Sequence, residues 1–224
     1  MTTFWKRRPV VEMGTRFPLD DARRVARILV VDDEPESFPL ELLQRNGYNV
    51  TQWSRVDSAA LSQLEHGAYD IIVLDIVGIA GADVSSNGGL GLLQHIKRVN
   101  PSQLVVAYSG QRFSVSEQEF FRLADETIAK PTDFVRVTAV LDSLLAEKFN
   151  IEHYWNGIST LLESAGVSRR AIAKVQRRIV RALARGEHED LRPVLENVLR
   201  DPDAAIRVAS IAASLVDLAL RFVR

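Results

Sequence analysis

Cysteine is absent from the 224 residues of this chain, which excludes disulfides and metal or redox centres held by thiolates. Net charge is nearly absent as well. The 28 basic side chains against 29 acidic ones leave −1, so no field of the whole molecule points to nucleic acid or membrane. No apolar run approaches the about 18–20 residues that cross a bilayer. The basic residues among Met1–Val11 are not followed by an apolar stretch able to serve as a signal peptide. Internal repeats and low-complexity tracts are lacking too. These absences lead to the expectation of a cytoplasmic protein, which a chain without cysteine also suits. What is present is an ordinary globular composition, 46% hydrophobic and 25% charged. The length suits one medium domain plus a smaller one and can bury a proper core.

Residues 1–26 mix Phe4 and Trp5 with Lys6, Arg7, Arg8, Pro9 and Pro18, show no sustained period, and read as an N-terminal arm. After Arg27 the pattern changes. Short continuous apolar runs at Ile28–Val31, Ile71–Leu74 and Leu104–Ala107 have the form of parallel strands buried on both faces. Shorter candidates lie at Tyr48–Trp53 and Thr127–Ala129. Helical stretches at Glu36–Arg45, Asp57–His66, Leu90–Val99, Ser114–Ala124 and Asp133–Phe149 alternate with them. Five strands alternating with five helices predict an α/β fold with a doubly wound parallel sheet over 27–149. Pro39 predicts a late start or a kink in the first helix. Residues 150–224 lack strand signals and predict an all-α domain broken at Gly166, Gly186 and Asp201–Pro202.

In a doubly wound sheet, ligands bind outside the carboxyl ends of the strands. The first run ends in Asp32-Asp33-Glu34, the third in Asp75, the fourth in Ser109-Gly110 and the fifth in Lys130-Pro131. Carboxylates, a hydroxyl and an ammonium therefore converge on one edge. Clustered carboxylates repel unless a cation joins them, and Mg²⁺ takes carboxylates together with waters and phosphate oxygens. A carboxylate held there can act as nucleophile toward phosphorus, and positioning and charge neutralisation supply most of the catalysis in such transfers. Acidic loop residues are common, so Asp32-Asp33 alone would carry little. Four elements in order, each closing an apolar run, carry far more.

The segments Ile-Leu-Val-Val-Asp-Asp-Glu-Pro (28–35), Ile-Ile-Val-Leu-Asp (71–75), Val-Val-Ala-Tyr-Ser-Gly (105–110) and Ala-Lys-Pro (129–131) resemble the receiver domain of two-component response regulators. The resemblance implies a flavodoxin-like sheet of order 2-1-3-4-5. It implies Asp75 as phosphoacceptor, Asp33 as a direct Mg²⁺ ligand, Asp32 as a ligand through water, and the Val77 backbone carbonyl as a further ligand. It also implies that Lys130 and Ser109 contact the phosphoryl group, with Ser109 moving as a switch. The phosphoryl donor would be a histidine kinase or a phosphotransfer protein. The domain would promote its own phosphorylation and dephosphorylation rather than act as an enzyme on a separate substrate. Two departures stand out. The loop Ile76–Gly89 is longer than the family's and has no proline, and Thr127 stands where the family usually carries its switch aromatic.

Two readings compete for 150–224. Leu161–Val175 resembles a repressor-type helix-turn-helix. Gly166 sits at the tight turn, Leu161, Ala165, Val167, Ile172 and Val175 at packing positions, and Ser168 at the cap of the second helix. That second helix carries seven basic residues and no acidic one between Arg169 and Arg185. Arg170, Lys174, Arg177, Arg178, Arg181 and Arg185 share a face opposite Ile172, Val175, Ile179 and Leu183, as phosphate contact requires. Leu162 stands where the motif favours a small residue.

In the second reading the helices form a bundle for homodimerisation or a protein target. Asp203–Val223 is apolar around most of its circumference, with Arg207, Ser210, Ser214, Asp217 and Arg221 on a narrow polar strip, so it must be buried on most sides. This reading stands ahead of DNA binding, because short helix-turn-helix matches arise readily by chance. His188–Pro193 faintly resembles a phosphorylated-histidine box, but its spacing departs and no nucleotide-binding segment follows; it reads as a hydrated helix start.

Overall fold

The protein is described from a computed structural model that covers residues 13–81, 84–85, 88–110, 121–185 and 192–223. Five strands form the sheet: β1 (Ile28–Val31), β2 (Val50–Trp53), β3 (Ile71–Asp75), β4 (Leu104–Ser109) and β5 (Glu126–Ala129). All pairings are parallel, in the order β2-β1-β3-β4-β5, as the resemblance implies. Each of β1, β3 and β4 is buried along its whole length, which is why the sequence shows unbroken apolar runs rather than alternation. The chain leaves β1 for β2 on one side and reaches β3 on the other, so a crevice opens at their carboxyl ends.

The two faces of the sheet are covered separately. Leu29, Val31, Ile72, Leu74, Val105 and Ala107 pack with Leu64 of α3 (Ser58–Glu65) and with Leu92, Leu93 and Ile96 of α4 (Gly88–Val99). Ile28, Val30, Ile71, Val73, Val106 and Ile128 face Leu43 of α2 (Leu40–Arg45) and Val137, Leu141 and Leu144 of α5 (Phe134–Glu147). The first helical stretch does start late. A 3₁₀ turn spans Pro35–Ser37, and α2 begins only after Pro39. Asp57 and Asp133 cap α3 and α5 by accepting from the N–H groups of Ala60 and Arg136, each at 2.8 Å. Most of the expected helix 114–124 lies outside the described residues, as do His188 and its neighbours.

Three features differ from the sequence reading. Within the supposed arm, Leu19–Val25 forms a helix, α1, whose Ala22 and the following Ala26 are buried. It hides from a periodicity search because alanine makes its contacts. It is fixed instead by Arg23, whose Nε and Nη2 donate to Asp142 of α5 at 2.9 and 2.6 Å, and Tyr48 donates to the same carboxylate at 2.6 Å. Second, the loop after β3 is pinned. Ile79 is fully buried and its carbonyl accepts from Val56 N–H at 2.6 Å.

The third difference concerns the C-terminal helices α6 (Ile151–Ser164), α7 (Arg169–Arg185), α8 (Arg192–Glu196) and α9 (Pro202–Val223). Their core is continuous with that of the sheet through Phe149, Ile151, Tyr154 and Ile158. The narrow polar strip on α9 turns partly toward the strands' starting edge. Arg221 donates to both oxygens of Asp70 at 2.8 Å and to the carbonyl of Val25 at 2.7 Å. Arg27 adds its own N–H to Asp70 at 2.7 Å, and Asp217 pairs with Arg27 and Arg221 at 3.5 and 3.2 Å. Phe17 and Phe222 stack with centroids 3.5 Å apart. Gly157 of α6 lies so close to Ser102 that any Cβ would strike its side chain, and His153 contacts the Ser102 carbonyl at 2.8 Å. Among the described residues no helix is long and apolar enough to cross a membrane.

Candidate functional site

The carboxyl ends of β1, β3, β4 and β5 bring together the expected residues. Asp32 follows β1 directly and is fully buried, Asp75 closes β3, Ser109 closes β4, and Lys130 follows β5. Asp32, Asp33 and Asp75 each offer a carboxylate oxygen, and the three oxygens lie within 4.8 Å of one another. Lys130 Nζ donates to Asp75 Oδ2 at 2.7 Å and to Asp32 Oδ1 at 2.9 Å. Three carboxylates against one ammonium leave a formal charge of −2, the complement of a divalent cation. Oxygen donors of this kind suit Mg²⁺. Asp33, the exposed member, reaches the cluster because Gly78 has φ +77° and no side chain: a Cβ there would run into the Asp33 carboxylate.

The electrostatics favour a held, reactive carboxylate. Burial pushes the Asp75 carboxyl up, Lys130 and the Ile76 N–H pull it down, Asp32 pushes it up again, and the net is a raised pKa. The Ile76 N–H donates to Asp75 Oδ1 at 2.6 Å, so both oxygens are oriented. Burial alone would lower the Lys130 pKa, but its hydrogen bonds to Asp75 and Asp32 win and it is raised; the ammonium stays charged.

Two further residues, not singled out from the sequence, complete the frame. Ser37 donates to Asp32 Oδ2. Tyr108, buried in the core, donates to the Ser37 carbonyl at 2.6 Å and places its ring 4.6 Å from Lys130 Nζ. Tyr108 thus clamps the 3₁₀ turn that carries Ser37 and lays a cation–π contact against the lysine. The only sequence signal was position, one residue before Ser109 and five after Asp32.

Among the remaining expected residues, Val77 follows β3 with its side chain exposed. Thr127 lies in β5 opposite Ala107, also exposed. Arg169, Arg170, Lys174, Arg177 and Arg181 are exposed on α7, far along the chain from the acidic cluster, and Arg178 is half-buried. The helix-turn-helix residues behave unevenly. Gly166 has φ +73°, and Ser168 Oγ accepts from Ala171 N–H at 3.4 Å. Ile172, Val175 and Leu162 are buried, while Ala165 is exposed rather than packed.

No family model matches the sequence, and no curated protein matches it. Solved structures do. The receiver domain of NtrX from Brucella abortus is 30% identical, over 54% of this chain and 98% of that one, with a TM-score of 0.44. A CheY-like response regulator receiver domain protein from Methanospirillum hungatei is 21% identical, over 55% of this chain and 95% of that one, with a TM-score of 0.47. A longer NtrX structure from Brucella abortus, in complex with ATP, is 26% identical, over 70% of this chain but only 34% of that one, with a TM-score of 0.46. The 30% identity runs over nearly a whole receiver domain and accompanies the chain's own 2-1-3-4-5 strand order. Through its five-stranded α/β part, the chain belongs to the response regulator receiver family.

Proposed function

We propose that this response regulator takes a phosphoryl group onto Asp75 from a histidine kinase or phosphotransfer protein, in a Mg²⁺-dependent reaction. The observation that carries the proposal is the trio Asp32, Asp33 and Asp75 with oxygens within 4.8 Å and Lys130 2.7 Å from the acceptor carboxylate. Asp33, Asp75 and the Val77 carbonyl would hold the ion, with Asp32 acting through water; the ion supplies charge neutralisation for the incoming phosphoryl oxygens. Asp75, oriented by Lys130 and the Ile76 N–H, attacks phosphorus in line with the departing imidazole nitrogen. The P–O bond forms as the P–N bond breaks. Lys130 then exchanges part of its contact with Asp75 and Asp32 for a phosphoryl oxygen, and the Ser109 hydroxyl donates to another.

Thr127 offers no ring to relay this change, so the readout differs from an aromatic flip. The C-terminal helices are the output part, acting through a protein target or a second copy of the chain, and they dock where β3 begins while Asp75 stands where β3 ends. Phosphorylation biases the balance between docked and released arrangements of those helices.

The test is a Mg²⁺ titration with and without beryllofluoride, followed by the chemical shifts of backbone amides near Asp75. Beryllofluoride is expected to bind the Mg²⁺ form of the wild type and not that of Asp75→Asn. Lys130→Ala is expected to weaken beryllofluoride binding more than Mg²⁺ binding. Equal losses in the two titrations would contradict the role given to Lys130.

A further inference from the structure

Four side chains around the acidic site close a cycle that the chemistry at Asp75 does not by itself require. Lys130 Nζ donates to Asp32 Oδ1 at 2.9 Å and lies 4.6 Å from the centre of the Tyr108 ring. The Tyr108 hydroxyl donates to the Ser37 carbonyl at 2.6 Å and stands 3.3 Å from the Ser37 hydroxyl. That hydroxyl donates to Asp32 Oδ2, which returns the path to its start. Asp32 is fully buried and the Lys130 side chain is 13% exposed. The contacts therefore act at low dielectric, where a change at one member is felt by the next.

Tyr108 is the member whose polar atom calls for an explanation. It lies in β4, which is buried along its whole length, and an apolar side chain would fill that position. A buried hydroxyl adds nothing to a core unless it is hydrogen-bonded, and this one is tied to the backbone of the Pro35–Ser37 turn. The ring meets Phe38 edge-on, with centroids 5.3 Å apart and planes at 78°. Phe38, itself buried, belongs to the core that holds Leu43 of α2 and runs on into the C-terminal helices. Tyr108 therefore touches the ammonium on one side and, on the other, the turn and the ring that lead into that core.

A Lys130 drawn to a phosphoryl oxygen leaves two members of the cycle at once, the Asp32 carboxylate and the face of the Tyr108 ring. Ser37 is held from both sides, by Asp32 through its hydroxyl and by Tyr108 through its carbonyl, so a displacement of either reaches it. We infer that Tyr108 is a positioning residue that couples loading of the acidic site to the Pro35–Ser37 turn and Phe38, through which the signal enters the core shared with the C-terminal helices. This rests on the proposal that Asp75 is the phosphoacceptor. The coupling element has two discrete arrangements, one closed with Lys130 on Tyr108 and one open with Lys130 on the phosphoryl group. The tyrosine does not flip between them: its hydroxyl stays on Ser37 in both.

The test follows the full chain by NMR, free and saturated with Mg²⁺ and beryllofluoride, in wild type, Tyr108→Phe, Ser37→Ala and the double variant. In wild type the amides between Glu36 and Leu43 are expected to shift with the same midpoint as those beside Asp75. The Lys130 Hε protons, shielded by the Tyr108 ring in the free protein, are expected to move downfield. Tyr108→Phe keeps the ring and removes only the hydroxyl. It should bind beryllofluoride within about tenfold of wild type, the most that one neutral hydrogen bond contributes, and keep the Lys130 Hε response. Its shifts between Glu36 and Leu43 should shrink. Ser37→Ala cuts the same path from the other end, so the double variant should shrink them no further than the single ones. A tyrosine that only fills the core would lower Tm on losing its hydroxyl and leave these shifts as in wild type. Shifts beside Asp75 without any between Glu36 and Leu43, a full response there in Tyr108→Phe, or additive losses in the double variant would overturn this inference alone. No shift at either place in wild type would overturn the proposal for Asp75 with it.

Discussion

Replacing Asp70 by asparagine removes the charge on which the C-terminal helices are clamped. The side chain is 2% exposed, accepts from Arg221 at 2.8 Å through each oxygen, and accepts from the Arg27 backbone N–H at 2.7 Å. Asparagine keeps the volume but turns an NH₂ group toward guanidinium donors and leaves Arg221 with the partly exposed Asp217 as its one remaining carboxylate among the described residues. Breaking a buried ion pair from one side costs about 3–5 kcal/mol. The Arg27 and Arg221 side chains are 30% and 18% exposed, so water recovers part of this, and we expect a loss of about 2–4 kcal/mol. For a chain of this length about 1 kcal/mol moves Tm by about 2–4 °C, so calorimetry should show a fall of roughly 5–15 °C. Arg221→Leu should fall comparably, and the double variant should lose clearly less than the sum, with a coupling above about 1 kcal/mol. Amides of α6 and α9 should exchange faster in each. A Tm within about 1 °C of wild type, or strict additivity, would refute the clamp and leave the apolar contacts alone as the docking force.

Acid gives a second view of the same cluster. Burial opposes ionisation of Asp70, but hydrogen bonds and charge from Arg221 and Arg27 outweigh it and hold the carboxyl below its usual range, in a site also faced by Asp217 and Tyr154. Because the folded pKa is lowered from about 3.9, the stabilisation is fully present above that value and lost as pH falls through the folded one. The stability gap between wild type and Asp70→Asn should therefore be flat above about pH 5 and close below about pH 3.5; a gap that persists or widens in acid would contradict this. Gly157→Ala should lower Tm, by about 1–3 kcal/mol of overpacking against Ser102, even though alanine is the better helix former; a rise in Tm would show that α6 does not seat there.

The sheet was legible because burial on both faces leaves no alternation, and the runs Ile28–Val31, Ile71–Leu74 and Leu104–Ala107 each lie within a strand. The site was legible because this topology places strand ends together, so Asp32, Asp75, Ser109 and Lys130 could be grouped without knowing any distance. What could not be read were contacts whose partners are remote in the chain and local in no pattern. Arg221 meets Asp70 across 151 positions, so nothing in the polar strip on α9 marked part of it as the docking seam. α1 escaped because alanine and an Arg23–Asp142 pair, rather than a large apolar stripe, attach it. Ser37 and Tyr108 escaped because a serine near an acidic loop and a tyrosine in a core strand are unremarkable until their hydroxyls are placed.

The central claim is that Asp75 is a metal-dependent phosphoacceptor. The measurement that reaches it most directly is intact-mass spectrometry of the full chain after incubation with Mg²⁺ and a small phosphodonor such as acetyl phosphate, run beside Asp75→Asn and beside a sample held in chelator. One added phosphoryl group on the wild type, absent from the variant and from the chelated sample, is the predicted result. A phosphoryl group that persists in Asp75→Asn, or forms equally well in chelator, would contradict the account.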